Sequence, residues 1–241
     1  MRKIDIEAER KYENSKILSS EVRSKQNKFY WATDLSIREH REKTNQAILK
    51  LNGLEIGCSS GIAAVEYSKY CSKYTGIDIA DEAIKKAKDK NIHNCEFICT
   101  DGHKLPFDDE TFDFVIVNSL LHHLDLDLIF EEISRVLLPS GKIIFREPLG
   151  TNPIIQIYRF FTPSARTIDE RPFTFADIKL MKSYFDLVDV RWFGFLNILG
   201  GFYKNHQLRI FLTHFDNFLS KSPLKYIFWQ FAGTGIKKTK K

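Results

Sequence analysis

Between residues 51 and 147 short apolar, β-rich runs alternate with amphipathic stretches, and this rhythm constrains the fold more than any other feature of the chain. GLEIG is followed by IAAVEYSKY and YTGIDI by DEAIKKAKDK. Then come CEFICT, FDFVIVNS, the helix-like LDLIFEEISRVLL and GKIIFRE. Continuous apolar runs separated by helical patterns indicate parallel strands joined by crossovers. Right-handed crossovers place helices on both faces of one sheet. The expected class is therefore α/β, a doubly wound and mostly parallel sheet, and 241 residues suit one generous domain. Asp81 stands where a helix N-cap is expected, with Ile84 and Ala87 inward and Lys85, Lys86 and Lys88 outward. Pro139-Ser140-Gly141 is expected to stop a helix ending near Leu138.

The flanks read differently. Residues 1–50 are charged and weakly periodic, a helical arm or cap interrupted by the aromatic group KFYW. Beyond Glu147 the composition shifts, for 14 of the 20 phenylalanines fall in residues 145–241. Pro148, Pro153, Pro163 and Pro172 punctuate a long connection, a lid-like insertion over about 148–175 within the 51–241 domain. FDLVDVRWFGFLN reads as a strand, QLRIFLTHFDNFLS as an amphipathic helix and KYIFWQFAG as a last strand, together an antiparallel edge on the parallel sheet. Phe160, Phe161, Phe173 and Phe175 are expected in the core, and Arg159, Arg166, Asp169, Glu170 and Arg171 pair among themselves to hold the insertion.

Charge argues against a simple nucleic-acid binder. The formal +5 resides in residues 1–28 and in the four lysines of residues 237–241, which leaves a slightly negative body. The lysine tail reads as a solvated end in preference to a contact with an anionic membrane. No stretch approaches the ~20 apolar residues of a membrane span, and MRKIDIEAERKYENSK has no apolar signal core, so a cytoplasmic location is expected. Cys58, Cys71, Cys95 and Cys99 form no paired framework and read as reduced thiols. Cys95 and Cys99 lie on one strand, roughly 13 Å apart along its rise, too far for one zinc ion, so no metal is expected.

Chemistry concentrates at Glu55-Ile56-Gly57-Cys58-Ser59-Ser60-Gly61, where the first strand turns into a helix. Small residues there let a ligand approach the backbone above the strand ends. A dinucleotide loop would need glycine at positions 59 and 62, which hold Ser59 and Ile62, so a nicotinamide oxidoreductase is disfavoured. Glu55 would repel phosphate but suits an ammonium-bearing ligand, and Asp78, 21 residues after Gly57, stands where an acid binds two ribose hydroxyls. S-adenosylmethionine is an ammonium-bearing nucleoside without phosphates.

LEIGCSSG, the acid of GIDIAD, TDGHKLPF with FDFVIVNSLLHHL, and EEISRVLLPSGKIIFREP together resemble the core of class I S-adenosylmethionine-dependent methyltransferases, the small-molecule, type 11-like subgroup with a Rossmann-like sheet. The resemblance covers roughly 95 residues, in the right order and spacing. It implies that Gly57, Cys58 and Gly61 lie under the cofactor's methionine part with Glu55 beneath. It implies further that Asp78 holds the ribose, Ile79 packs on the adenine, and Asp101 meets the adenine amine beside Gly102 and His103, with Asn118 by the sulfonium. Ser59 stands where the family usually has glycine, and a serine there is expected to need ordinary backbone angles.

His122 and His123, after the fourth strand, and Glu147, after the fifth, are the candidate catalytic groups, able to orient or deprotonate an acceptor. The expected acceptor is a small molecule, apolar in character like a quinone, polyketide or lipid. The run Asn118-Ser119-Leu120-Leu121 lacks the Asn/Asp-Pro-Pro-aromatic cradle of amino-directed nucleic-acid enzymes. A cofactor-binding regulatory module without catalysis is the alternative function.

Overall fold

The computed structural model describes residues 5–19, 27–161, 171–203 and 205–239. Seven strands form one sheet: β1 (Asn52–Ile56), β2 (Lys73–Asp78), β3 (Cys95–Cys99), β4 (Phe112–Asn118), β5 (Leu137–Pro148), β6 (Phe185–Phe193) and β7 (Gln230–Lys237). Their spatial order is β3-β2-β1-β4-β5-β7-β6. β1 to β5 are parallel, and β7 slots antiparallel between β5 and β6. The expected class and its antiparallel edge are both observed.

Helices α1 (Ile6–Ser19) and α2 (Asn27–Ala47) precede the sheet, and α3 (Ala64–Tyr67), α4 (Asp81–Lys88) and α5 (Leu126–Val136) are its crossovers. After β5 come α6 (Pro153–Phe161) and α7 (Phe175–Tyr184), and after β6 come α8 (Asn197–Tyr203) and α9 (His206–Leu219). Strand residues alternate between two cores. Leu54, Ile56, Val115, Val117 and Phe145 pack under α5 and α7, while Tyr74, Phe97, Phe114, Ile116 and Ile144 pack against Ile48, Tyr67 and Ile84. Among the described residues no helix is long and apolar enough to cross a membrane.

Four local expectations shift. Ala80, not Asp81, is the N-cap of α4, and it makes no side-chain cap. Instead α1 supplies one, because Asn14 accepts from the Glu82 N–H (3.2 Å) and donates to Asp81 (2.6 Å). The strand β5 starts at Leu137, directly after α5, so Pro139 to Gly141 lie inside it as an irregular entry. The last strand begins at Gln230, since Pro223–Ile227 wind into a 3-10 turn first. Finally, the start of the lysine tail is tied back to the body, while Lys240 and Lys241 lie outside the described residues. The Lys237 ammonium donates to the Leu137 carbonyl (2.7 Å) and that of Lys238 to the Lys182 carbonyl (2.6 Å).

The insertion is partly helical through α6. Of its phenylalanines only Phe173 is core, whereas Phe160, Phe161 and Phe175 are exposed. Arg171 makes a two-pronged bond to Asp177 (2.6 and 2.8 Å), which also closes a capping box with Thr174 at the start of α7. Arg166, Asp169 and Glu170 lie outside the described residues.

Candidate cofactor and acceptor site

The parallel strands end along one edge, and the loop leaving β1 turns there sharply. Gly57 and Gly61 adopt φ of +78° and +69°, the left-handed region that glycine enters without strain. A Cβ on Gly57 would stand 2.8 Å from the Leu120 side chain. The N–H groups of Gly57 and Cys58 both donate to the Ile77 carbonyl, which pins the loop to β2. Ser59 does not keep ordinary angles. Its φ is +47°, and its N–H donates to Asp78 Oδ2 at 2.8 Å. That bond to the acid at the end of β2 compensates a conformation that costs a side chain about 1–2 kcal/mol.

Asp78 accepts from Ala80 N–H through its other oxygen (2.9 Å), so its carboxylate is fixed by backbone on both sides. Burial nonetheless raises its pKa, and the nearby Glu13 of α1 adds to the rise. Ile79 follows, part-exposed, its carbonyl facing the Cys99 thiol. Glu55 lies buried on β1 and accepts the Tyr74 hydroxyl at 2.8 Å. Burial pushes its pKa to about 7, the Tyr74 bond opposes this, and Asp78 adds to it. The same two carboxylates, after burial, push the Cys58 thiol up. The loop thus sits in a field that favours a cationic ligand.

Beyond β3, Asp101 accepts from the His103 N–H (3.0 Å) and pairs with His103 Nδ1 (2.8 Å). His103 Nε2 accepts from the Asp125 N–H (3.0 Å), which places its proton on Nδ1, donating to Asp101. Asp125 in turn caps α5. Burial opposes ionisation of Asp101, but these His103 bonds hold its pKa below the usual range. His103 is a strut for Asp101, and Gly102 beside it leaves room against Ile56. At the end of β4, Asn118 Oδ1 is buried with no hydrogen-bond partner among the described residues. An orphaned acceptor at this edge fits a ligand that brings a donor or a positive charge.

Of the three candidate catalytic groups, Glu147 is fully buried. One oxygen accepts from the N–H groups of Leu120 (2.8 Å) and Leu121 (2.9 Å), and the other meets His122 Nδ1 at 2.7 Å. The geometry assigns Glu147 to holding His122 and the β4 exit loop. His123 lies against His122, ring centroids 4.2 Å apart, and its Nδ1 is 3.2 Å from Glu9 of α1. Thus α1 spans the cleft from Asp81 to His123. Its residues Glu9, Arg10 and Glu13 belong to the site rim, and the sequence pattern did not disclose them, because a helix without an apolar face gives no periodicity to read.

An open parallel sheet with a glycine loop and an acid at the next strand end defines a nucleoside-binding α/β enzyme domain. Residues 54–145 match the sequence model of a methyltransferase domain. Over 105 residues the chain is 33% identical to the sterol 4-C-methyltransferase strm-1 of Caenorhabditis elegans, covering 41% of this chain and 31% of that protein. It is 26% identical over 141 residues to the demethylmenaquinone methyltransferase of Staphylococcus saprophyticus, covering 53% and 60%. The N-methyltransferase NodS of Bradyrhizobium japonicum, solved with S-adenosyl-l-homocysteine, shares the fold with a TM-score of 0.54 at 17% identity, over 83% of this chain and 87% of that one. The chain spans less than two thirds of the length of these two curated relatives. Over residues 54–145 the chain is thus similar to methyltransferase domains.

Proposed function

We propose that this chain transfers a methyl group from S-adenosylmethionine to a small, largely apolar acceptor. The observation that carries the reading is the convergence of three features at the ends of β1, β2 and β4. These are a strained glycine-type loop, the carboxylates Glu55 and Asp78, and the orphaned Asn118 Oδ1.

When bound, the cofactor supplies a methyl group made electrophilic by a sulfonium charge. Gly57, Cys58 and Gly61 lie under its methionine part, and Glu55 and Asp78 supply the matching negative field. Asp78, fixed by Ser59 and Ala80, accepts the ribose hydroxyls, with Ile79 against the adenine. Asp101, fixed by His103, accepts the adenine amine, and Asn118 faces the positive sulfur. Much of the acceleration in such a displacement comes from holding the acceptor in line at about 3 Å. His122, held through Nδ1 by Glu147, orients a hydroxyl acceptor or takes its proton. His123 orients at the rim beside Glu9. An apolar acceptor is supported by the relatives named for sterol and demethylmenaquinone, and by Ile157, Phe160 and Phe161 exposed on α6 just after β5.

Calorimetry with S-adenosylmethionine and with NAD tests the first step: the former binds, the latter does not, and Asp78→Ala weakens binding at least about tenfold. Labelled-methyl transfer to a short-chain quinol and to small hydrophilic acceptors tests the second. Methylation of hydrophilic acceptors alone rejects the apolar reading, and binding without any transfer leaves the regulatory alternative. With a hydroxyl acceptor, His122→Ala lowers turnover by roughly 10²–10⁴ at unchanged cofactor affinity. Undiminished turnover in both His122→Ala and His123→Ala removes the proposed base.

A further inference from the structure

Among the described side chains the exposed phenylalanines are Phe160 and Phe161 of α6, Phe175 of α7, and Phe211, Phe215 and Phe218 of α9. All of them gather at one edge of the sheet. Pro148 at the end of β5 and Phe193 at the end of β6 both stand opposite Gln230 at the start of β7, just beyond the pair Asn118–Arg146. Whatever follows Pro148 or Phe193 therefore leaves the sheet on the side of the cofactor loop. The elements there are joined to one another. Ile155 of α6, Ile198 of α8 and Trp229 share a buried cluster, and Asp216 of α9 accepts the Asn197 N–H of α8 at 3.1 Å. The Phe175 ring meets that of Tyr226 edge-on, centroids 4.9 Å apart.

These rings are not the rim of a core, for Phe160 is 78% exposed and Phe218 71%. Spacings of four and three put Phe211, Phe215 and Phe218 on one stripe of α9, with successive rings stacked at 6.3 and 6.5 Å. Leu224 and Tyr226, in the turn after α9, are exposed as well. Scattered apolar side chains on a surface need no explanation, whereas a contiguous group of this size marks a contact surface. Charge says what it contacts. The chain holds 31 Asp+Glu, yet residues 149–161 contain none and residues 194–229 contain one, Asp216, which is buried. Arg159 adjoins Phe160, and Lys221 and Lys225 follow Phe218.

We infer that this edge docks on an anionic lipid surface. The α6 and α9 rings enter the headgroup boundary, and Lys221 and Lys225 meet the lipid phosphates. The inference rests on the reading of the acceptor as apolar, since such a molecule resides in a bilayer and reaches the cleft from it without crossing water. The same charges disfavour a second copy as the occupant. An isologous contact lays a patch against itself, so the cations of both copies meet with no exposed carboxylate from these segments between them. The lysine tail takes no part, because β7 ends at the opposite end of the sheet, where Ile236 stands opposite Lys142.

Co-sedimentation of the full chain with vesicles of phosphatidylcholine, and of equal parts phosphatidylcholine and phosphatidylglycerol, tests the surface. Binding to the anionic vesicles is expected, weakened at least about tenfold in Phe211→Ser/Phe218→Ser. Lys221→Gln/Lys225→Gln is expected to weaken it roughly tenfold and to flatten its salt dependence. Phe215→Trp reports contact without removing the ladder, through a blue shift and quenching by brominated lipid beyond those of the parent. No sedimentation with anionic vesicles, or equal sedimentation of the parent and the phenylalanine variant, overturns the proposal. Binding lost on deletion of residues 239–241 overturns it in favour of the tail. A dimer that forms without lipid and is lost in the phenylalanine variant, with no vesicle binding, overturns it in favour of a second copy. Methyl transfer to a soluble short-chain quinol separates the two readings. A parent chain that transfers methyl but ignores vesicles overturns the docking surface alone, and one that binds vesicles but transfers nothing overturns the proposed function alone.

Discussion

Ser59 is strained for a reason visible in its neighbours. The turn must deliver its N–H to Asp78 Oδ2, and only a left-handed residue at that point does so. Ser59→Gly removes the steric cost of the side chain at φ +47° while keeping the N–H bond. It is expected to stabilise the protein by about 0.5–1 kcal/mol after the entropy of the unfolded glycine is counted. Urea unfolding measures this, and a loss of stability would show that the serine hydroxyl contributes more than its strain costs. The same scale holds the part of the site most legible in the sequence. Glu55, Gly57, Gly61 and Asp78 lie on strand ends and one tight turn, where spacing dictates position. What encloses Glu147 is not legible there, because the two N–H groups that occupy its carboxylate come from the β4 exit loop 26 to 27 residues away.

The helix α9 is inside out. Arg209, Thr213 and Asp216 form its buried stripe, while Phe211, Phe215 and Phe218 form an exposed ladder, the first two rings stacked 6.3 Å apart. An amphipathic pattern announces two faces and does not say which turns inward. Here the polar one does, because Asp216 accepts the N–H groups of Phe195 (2.9 Å), Leu196 (2.9 Å) and Asn197 (3.1 Å) at the start of α8. Burial raises the pKa of Asp216, and these three bonds oppose the rise. Asp216→Ala leaves the three donors buried and unpaired, and is expected to cost about 2–4 kcal/mol. A change within ~0.5 kcal/mol in denaturant unfolding would mean that water replaces the carboxylate at no cost.

Two buried groups contribute to the acid response of the chain with opposite signs. Glu55 has a folded pKa of about 7 against an ordinary 4.5, so the folded state holds its proton more tightly and stability falls as pH rises from 4.5 to 7. His40 has a folded pKa of about 4 against 6.5, so the folded state takes its proton less readily and stability falls as pH drops from 6.5 to 4. Each effect is on the order of 3 kcal/mol, and between pH 4.5 and 6.5 they offset one another. Glu55→Gln is expected to expose the His40 slope, with a variant that weakens on acidification and gains stability over the parent above pH 7. Stability profiles across pH by urea unfolding check this, and parallel profiles for parent and variant would refute it. A bound ammonium group would favour ionised Glu55, so cofactor binding near pH 7 and stability of the free protein pull on this residue in opposite directions.

The order of strands and crossovers, the glycine loop and the acid that follows it were readable along the chain, because each depends on neighbours within one βα unit. The insertion of β7 between β5 and β6 agreed with an antiparallel edge that the terminal runs suggested. Burial of Glu147, the seating of α1 across the cleft through Asn14 and Glu9, and the inverted α9 were not readable. Each joins residues distant in sequence by polar contacts, and polar contacts leave no periodic trace. Hydrophobic rhythm reports which residues leave water, whereas only packing in three dimensions reports which charged groups must meet once they have left it.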